Sequence, residues 1–386
     1  MKYYIIAGEV SGDLHASYLM KEIANVDSDA VFRGFGGDKM QQAGCEITKH
    51  INQLAFMGFV EVVKNIGTIS KNIKTCKEDI LAYAPDAIIM VDYPGFNLRI
   101  AKWAKRHNIK VFYYISPTVW AWRKGRMKTL NETTERLYVI LPFEKEFYAR
   151  HNYEVEYYGS PLVEEIVAFR RSRAASDPSK WDYNTVEWRA GEVVSAIERE
   201  KQKVLLMPGS RKQEIRAMLP TMLALSDAHP TLRFVIAGVD NIDASFYKDI
   251  IAGRDIELVF NDTYNLLSQA QIAIVTSGTA TLETALFRVP QVVCYKANVI
   301  SYFVARLVAK VKYISLVNLI LDKQVIVELI QSDFTYQRLA AQFESLLCDD
   351  QYRNKIKADY DKIIHLFGQT DASFKIANDI YGRLKQ

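Results

Sequence analysis

The sequence predicts an α/β protein of two parallel, doubly wound domains, and three observations carry that prediction. Short β-branched or aromatic runs alternate with stretches of helical spacing through the first half. The same alternation restarts after residue 200, and a polar stretch, Arg170–Glu200, separates the two series. Taken in order, Tyr3–Ala7, Ala87–Val91 and Lys110–Ile115 are apolar runs, the pattern of parallel strands buried on both faces. Each is followed by a turn and a helix-like segment, as in Ser17–Ala24 and Leu98–His107. In the second series Val204–Met207, Arg233–Ala237, Glu257–Phe260, Ile272–Val275 and Gln291–Tyr295 are the strands. Helical windows lie between them, over Lys212–Ala228 and Thr281–Phe287. Arg170–Glu200, with Arg-Arg-Ser-Arg, Ser176-Asp177-Pro178-Ser179 and two tryptophans, reads as a connection ending in a short helix, and the tail from Tyr336 is helical by pattern. The expected divisions are domains over residues 1–168 and 201–350, a connection over 169–200 and a helical tail over 351–386.

Length and composition narrow the function. The 386 residues amount to about two to three domains at roughly 150 residues each. With 49% hydrophobic and 24% charged residues, the chain has an ordinary globular balance, which argues against disorder, collagen-like repeats and a nucleic-acid-binding tail. Lys+Arg exceeds Asp+Glu by only 49 to 45, so a net charge of +4 implies no nucleic-acid partner. Cys45, Cys76, Cys294 and Cys348 are scattered without C-x-x-C spacing, which fits a reducing cytosol better than a zinc site or a disulfide framework. The six histidines show no ligand spacing, so no metal is expected. Tyr3–Ala7 is too short for the apolar region of a signal peptide. No charge-free run reaches the ~18 residues of a membrane span; the nearest, Ala297–Ile320, carries Arg306, Lys310 and Lys312. The expectation is a soluble cytosolic protein.

The motifs that carry chemistry sit at strand ends. Gly8-Glu9-Val10-Ser11-Gly12-Asp13 follows the first strand and opens a helix, where free N–H groups favour an anion or polar ligand. It reads equally as a tight turn capped by Ser11 or Asp13. Gly34-Phe35-Gly36-Gly37-Asp38 reads as a further flexible loop. Asp92, in Val91-Asp92-Tyr93-Pro94-Gly95-Phe96-Asn97, lies at a strand's carboxyl end, where open α/β sheets bind ligands, and a carboxylate there is a candidate base. Without further context it reads first as the cap of a turn. Trp120 and Trp122, beside Arg123, Lys124 and Arg126, suit either an amphiphile's head and chains or domain packing. In Met207-Pro208-Gly209-Ser210-Arg211, the glycine lets amides approach a diphosphate, Ser210 donates, and Arg211 adds a forked cation. The Walker lysine and its spacing are missing. Ser277, Gly278 and Thr279 form a second phosphate-type turn; Glu283, one helical turn on, suits ribose hydroxyls or a capping box. Two stretches pair apolar anchors with cations, as a lipid surface or a buried interface would require. They are Phe56-Met57-Gly58-Phe59-Val60, with Lys64, Lys71, Lys74 and Lys77 downstream, and Ile300–Tyr313.

In order across nearly the whole chain, these strings resemble the lipid-A-disaccharide synthase family: Ala7–His15 (AGEVSGDLH), Met57–Val62 (MGFVEV), Asp92–Asn97 (DYPGFN), Ser116–Trp122 (SPTVWAW), Leu141–Phe147 (LPFEKEF), Pro208–Arg211 (PGSR), Ser277–Glu283 (SGTATLE) and Ser315–Asn318 (SLVN). The resemblance implies a GT-B glycosyltransferase: two Rossmann-like domains facing a cleft, the first binding the acceptor and the second UDP. It implies an inverting transfer from UDP-2,3-diacylglucosamine to 2,3-diacylglucosamine 1-phosphate, giving the β(1→6) disaccharide 1-phosphate and UDP at the cytosolic face of the inner membrane. Asp92 matches the family's catalytic aspartate. Gly209, Ser210, Arg211, Ser277, Gly278, Thr279 and Glu283 fall to UDP, without a metal or other cofactor. Glu9, Ser11 and Asn318 fall to the acceptor side or active-site lining, and Phe56, Met57 and Phe59 to membrane contact. A homodimer is compatible with the family.

Two positions depart from it. Gly95 stands where many relatives carry an acidic residue, and Val317 where proline is usual. The rival readings are a GT-B UDP-sugar epimerase, a transferase with a soluble acceptor, and a catalytically silent nucleotide-binding scaffold at the membrane. The apolar-basic stretches count against the first two, and Asp92 combined with a diphosphate site against the third. A dehydrogenase lacks its G-x-G-x-x-G.

Overall fold

The computed structural model describes residues 1–54, 66–121, 125–176, 202–296, 312–368 and 371–386. They form two compact units, Met1–Glu164 with Gln369–Gln386, and Glu165–Gly368. The division falls inside helix α7 (Pro161–Ser176), so residues 169–176 of the expected connection are helical. Residues 177–201 lie outside the described part, as do Phe56, Met57, Phe59, Trp122 and most of Ile300–Tyr313.

The first unit is a parallel sheet in the order β3-β2-β1-β4-β5-β6-β7. Its strands are β1 (Lys2–Ala7), β2 (Val31–Gly36), β3 (Cys45–His50), β4 (Ala87–Val91), β5 (Lys110–Tyr114), β6 (Arg136–Val139) and β7 (Glu156–Tyr157). The central strands are apolar on both faces because helices cover both. Tyr4, Ile6, Ile88 and Met90 pack with Ile80, Phe96 and Ile100 of α3 (Ile66–Tyr83) and α4 (Pro94–Arg106). Tyr3, Ile5, Ile89 and Val91 pack with Leu19 and Ile23 of α1 (Val10–Val26) and Ile376 and Ile380 of α15 (Ala372–Lys385). Helix α15 is the end of the chain returned to this unit. Its start is held where Glu164 accepts from the Ser373 amide at 2.7 Å and the hydroxyl at 2.5 Å.

The second unit's parallel sheet runs β10-β9-β8-β11-β12-β13. The strands are β8 (Lys203–Met207), β9 (Arg233–Gly238), β10 (Glu257–Phe260), β11 (Ile272–Thr276), β12 (Gln291–Tyr295) and β13 (Glu328–Ile330). Helices α8 (Lys212–Ala228), α9 (Ala244–Ile251), α10 (Thr263–Gln269), α11 (Thr279–Leu286), α12 (Leu316–Leu321), α13 (Tyr336–Cys348) and α14 (Asp350–Phe367) complete the unit. The expected tail over 351–386 is helical but divides between the units, α14 staying with the second and α15 with the first.

β2 and β3 depart from the sequence expectation. The glycine cluster read as a flexible loop begins as strand: Gly34, Phe35 and Gly36 pair with β3 and are buried. Arg33 beside them donates to Asp79 Oδ1 at 2.7 Å and Glu46 Oε1 at 2.6 Å, an ion pairing that lets a charged residue sit in a strand without apolar periodicity. The loop's last turn is fixed by Asp13, which accepts from the amides of Gly37 at 2.7 Å, Lys39 at 3.0 Å and Met40 at 3.1 Å. Asp13 thus caps the next helix, α2 (Asp38–Gln42), while α1 starts at Glu9 without a side-chain cap. Among the described residues, no helix is long and apolar enough to cross a membrane.

Candidate active site

In each sheet the chain winds outward in both directions from one pair of strands, β1 and β4 in the first unit and β8 and β11 in the second. Ligands of open α/β sheets bind beyond the carboxyl ends of such a pair. Ala7 is opposite Val91, so Glu9 and Asp92 emerge at the same edge. Met207 is opposite Val275, so the 208–211 and 277–279 turns are neighbours too. Topology alone therefore groups most of the residues singled out from sequence.

Asp92 is built under strain. It has φ +45° and Tyr93 φ +48°, left-handed conformations costing about 1–2 kcal/mol each for a residue with a Cβ. Four contacts hold them. The Asp92 amide donates to Tyr114 O at 3.0 Å. The Asp92 carbonyl accepts from the Tyr113 hydroxyl at 2.6 Å and from Asn97 Nδ2 at 2.7 Å. The Tyr93 hydroxyl donates to Leu54 O at 3.2 Å. The Tyr93 ring lies flat against Gly8, where an added Cβ would come within 2.3 Å of it, so this turn requires glycine. Pro94 then starts α4 with its φ already set.

The carboxyl of Asp92 is pushed up to about 6, first by burial and then by the neighbouring Glu9, against the Tyr93 amide and Arg126, which lower it. A carboxylate poised there is ionised at neutral pH and still basic enough to take a proton as a hydroxyl attacks. Ser11 is exposed on the first turn of α1.

The neighbouring family strings are structural. Glu144 of LPFEKEF accepts from the amides of Ile140 at 3.1 Å and Leu141 at 2.9 Å, and from Trp120 Nε1 at 3.2 Å. Trp120 also packs edge-on against Phe143 at 5.1 Å. This tryptophan is therefore fastened within the first unit.

In the second unit Gly209 has φ +112°, a value that favours glycine, and a Cβ there would meet Glu214 Oε2 at 2.7 Å. Glu214, on the first turn of α8, accepts from the Ser210 amide at 3.2 Å and from Arg211 Nη1 at 3.1 Å. It braces both donors of the turn and leaves Arg211 largely exposed. Gly278 and Thr279 are exposed at the start of α11. Ser277 is tied back, its hydroxyl donating to Ile314 O at 3.1 Å. Glu283 forms no capping box, because α11 starts at Gly278 without a side-chain cap. Burial, and then Glu165, push its carboxyl up to about 7, while a hydrogen bond from Tyr264 lowers it.

Asn318 is fully buried, so its side chain lines no open surface. Its Nδ2 donates to Ile326 O and Glu328 Oε1, both at 2.9 Å, and its Oδ1 accepts from the amides of Val325 at 2.8 Å and Ile326 at 3.1 Å. All four of its hydrogen-bonding positions are occupied. Glu328 Oε1 also accepts from the Ser315 hydroxyl at 2.7 Å and Glu328 Oε2 from the Ile314 amide at 3.0 Å, so Asn318 and Glu328 together fix the loop that receives Ser277.

Sequence reasoning gave Arg126 only as a cation suited to an amphiphile's head, and passed over Asn97, Tyr113, Glu214, Tyr264 and Glu328 as functional parts. Asn97 closes the DYPGFN string, and Glu214 follows Arg211 by one helical turn. Tyr264 and Glu328 carried no signal.

Pairs of Rossmann-like parallel-sheet domains of this kind constitute the GT-B fold of nucleotide-sugar enzymes. Among solved structures, a UDP-GlcNAc 2-epimerase from Neisseria meningitidis bound to UDP-GlcNAc matches with TM-score 0.63 at 12% identity, covering 99% of this chain and 100% of that one. The glycotransferase of kitacinnamycin matches with TM-score 0.64 at 13% identity, covering 99% and 98%. At such identities the likeness speaks for fold alone.

Sequence is more specific. A family model described as lipid-A-disaccharide synthetase matches residues 3–377, and the chain belongs to that family. It is 33% identical over 379 residues to the lipid-A-disaccharide synthase of Geobacter sulfurreducens, covering 97% of this chain and 94% of that protein. It is 33% identical over 371 residues to the synthase of Coxiella burnetii, strain Dugway, covering 95% and 93%. The protein is a glycosyltransferase of lipid A disaccharide synthesis.

Proposed function

We propose that this enzyme transfers diacylglucosamine from UDP-2,3-diacylglucosamine to the 6-hydroxyl of 2,3-diacylglucosamine 1-phosphate. The observation that carries the mechanism is Asp92, a carboxylate with a raised proton affinity in a strained turn at the carboxyl end of β4. In the proposed step Asp92 takes the acceptor hydroxyl's proton as that oxygen bonds the donor's anomeric carbon. The bond from that carbon to the diphosphate oxygen breaks, and its electron pair leaves with UDP. One displacement converts an α-linked donor into a β-linked product, so one base suffices. Arg211 and the amides of the turns at Gly209, Ser210, Ser277, Gly278 and Thr279 neutralise charge developing on the diphosphate, so the scheme needs neither metal nor cofactor. Glu283 accepts from the ribose hydroxyls. Glu9 and Ser11 stand on the acceptor side, Glu9 also tuning Asp92. Asn318 acts indirectly, by fixing the loop that holds Ser277.

Both substrates are acylated, which motivates assigning Phe56, Met57 and Phe59 to the cytosolic face of the inner membrane and keeps a homodimer in view. A UDP-sugar epimerase shares the fold, but a full-length family match at about a third identity favours the synthase reading. The test is a detergent-micelle assay with both lipids, read by mass spectrometry, for wild type and Asp92→Ala. Disaccharide 1-phosphate from the wild type with little from the variant is expected. UDP release without disaccharide would mean a different acceptor, and equal turnover by the variant would remove Asp92 as base.

A further inference from the structure

The loop after β5, which carries Trp120, is more tightly specified than packing alone requires. It starts at Ile115, a β-branched residue with φ +64°, a conformation such side chains rarely adopt. Val91 is opposite Tyr114, so Ile115 stands beside Asp92 and Tyr93, and three left-handed residues with a Cβ share one short stretch of the ligand edge. Strain of this kind persists only where the surroundings over-determine it, and it collects at ligand sites. Here the Ile115 amide donates to Tyr138 O at 3.1 Å, and Ser116 Oγ is hydrogen-bonded to the Tyr148 hydroxyl at 2.6 Å. Those partners belong to β6 and to α6 (Pro142–Ala149), so the loop is fastened across the carboxyl ends of both strands.

Further along the loop Trp120 Nε1 donates to Glu144 Oε1 at 3.2 Å, and Phe143 packs edge-on against the ring at 5.1 Å. The indole thus has its one polar group satisfied and its orientation set before any ligand arrives. Yet Trp120 is only half-buried, and so is Phe143. Aromatic residues that serve the core here are covered: Tyr113, Tyr114, Tyr138 and Tyr148, on the same strands and helix, are all buried. What is left is an apolar aromatic ledge, held in place by the bonds that make these strings structural, one strand over from Asp92. Fixed apolar surface at a ligand edge suits the apolar part of a ligand.

We propose that Trp120 and Phe143 seat an acyl chain of the acceptor, and that Glu144 is the positioning residue that sets the indole for it. The inference rests on the reading of the acceptor as a diacylated sugar whose hydroxyl meets Asp92. A sugar held there brings its chains to the same edge, and hydrocarbon is the part of it that an uncharged aromatic surface recognises. Glu144 itself touches no substrate, because both of its oxygens already have donors. The chain lies on the ledge equally in the ground and transition states, so the contact lowers KM and leaves kcat alone.

The test compares two acceptors, one with long and one with short acyl chains, in the micelle assay at saturating donor. Trp120→Ala should lower kcat/KM about tenfold for the long-chain acceptor and about twofold for the short-chain one, with the loss carried by KM. Trp120→Phe, which keeps an apolar ring but has no N–H, should lose about threefold with the long chain, and it decides the matter if Trp120→Ala does not fold. Glu144→Gln should weaken the long-chain preference in the wild type and add nothing in the Trp120→Phe background, since its effect passes through the indole. UDP affinity by calorimetry, equal to that of the wild type, verifies the fold of each variant. Equal losses on both acceptors, or a lowered Tm with the preference intact, would overturn the ledge and leave Trp120 a packing residue. If the wild type binds UDP but makes disaccharide from neither acceptor, the acceptor reading itself fails, and the inference fails with it.

Discussion

The placement of Asp92 predicts a pH profile that two substitutions should move in opposite directions. Its carboxyl stands at about 6 because burial and Glu9 raise it from an ordinary 3.8 while the Tyr93 amide and Arg126 lower it. A base acts in its ionised form, so activity is present above that value and lost below it. About nine-tenths of the enzyme is active at pH 7 and a little under one-tenth at pH 5, roughly a tenfold fall in kcat/KM. Glu9→Gln removes the second-largest raising cause and should shift the acid limb toward lower pH. Arg126→Gln removes a lowering cause and should shift it upward. The assay is kcat/KM for disaccharide formation in micelles from pH 4.5 to 8.5. Each variant's profile is divided by that of the wild type, so the titration of the acceptor's phosphate cancels. The inflection is the readout, since Glu9 also borders the acceptor and its loss lowers the whole curve. Movement of both variants in the same direction would refute the electrostatic account of Asp92.

Three further outcomes follow from the same geometry. Asp92→Asn should cost roughly 10²–10⁴ in turnover, yet its Tm at pH 8 should equal or exceed that of the wild type. A folded-state value above the unfolded one makes the carboxylate a stability cost above about pH 6 that vanishes as pH falls toward 4, so any gain seen by calorimetry at pH 8 should be absent at pH 4. Gly8→Ala places a methyl inside the Tyr93 ring, and should cost about 1–3 kcal/mol by urea denaturation and lower kcat by displacing the Asp92 turn. Asn318→Ala strands buried partners on Val325, Ile326 and Glu328, and should cost about 2–4 kcal/mol on the same measurement, with little change if the loop at Ser315 can refold around water.

The elements legible in the sequence were those specified by neighbours in the chain. A strand buried on both faces announces itself as an unbroken apolar run, and parallel topology forces its following turn to the ligand edge. That is why Asp92, Gly209, Ser210, Arg211 and the turn at Ser277 could be singled out as candidates at strand ends, while the part given to Asp92 came from the family resemblance and not from spacing. The rest depends on residues far apart in sequence. β2 was hidden because its charge, Arg33, is neutralised by Asp79, 46 residues away. Glu165 and Tyr264 are separated by 99 residues, and neither belongs to a recognisable string. Tyr113 supports Asp92 from the adjacent strand, 21 residues on, where it looks like any other core aromatic.

The same distinction separates carboxylates that do chemistry from those that hold the fold. Burial pushes both Glu144 and Glu283 up to about 7 and Asp92 to about 6, so proton affinity alone would nominate all three as functional. Hydrogen bonding tells them apart. Both oxygens of Glu144 already have donors, from two backbone amides and the Trp120 indole, so no substrate proton has a place to arrive. Among the described residues the Tyr93 amide is the one donor that lowers Asp92, and Tyr264, whose hydroxyl donates to Glu165 Oε2 at 3.1 Å, the one that lowers Glu283. A buried carboxyl serves as base or hydroxyl ligand only where an oxygen remains without a donor. By that criterion Asp92 and Glu283 are the carboxyls on which the proposed function can draw, whereas Glu144, for all its place in a family string, holds a tryptophan and starts a helix.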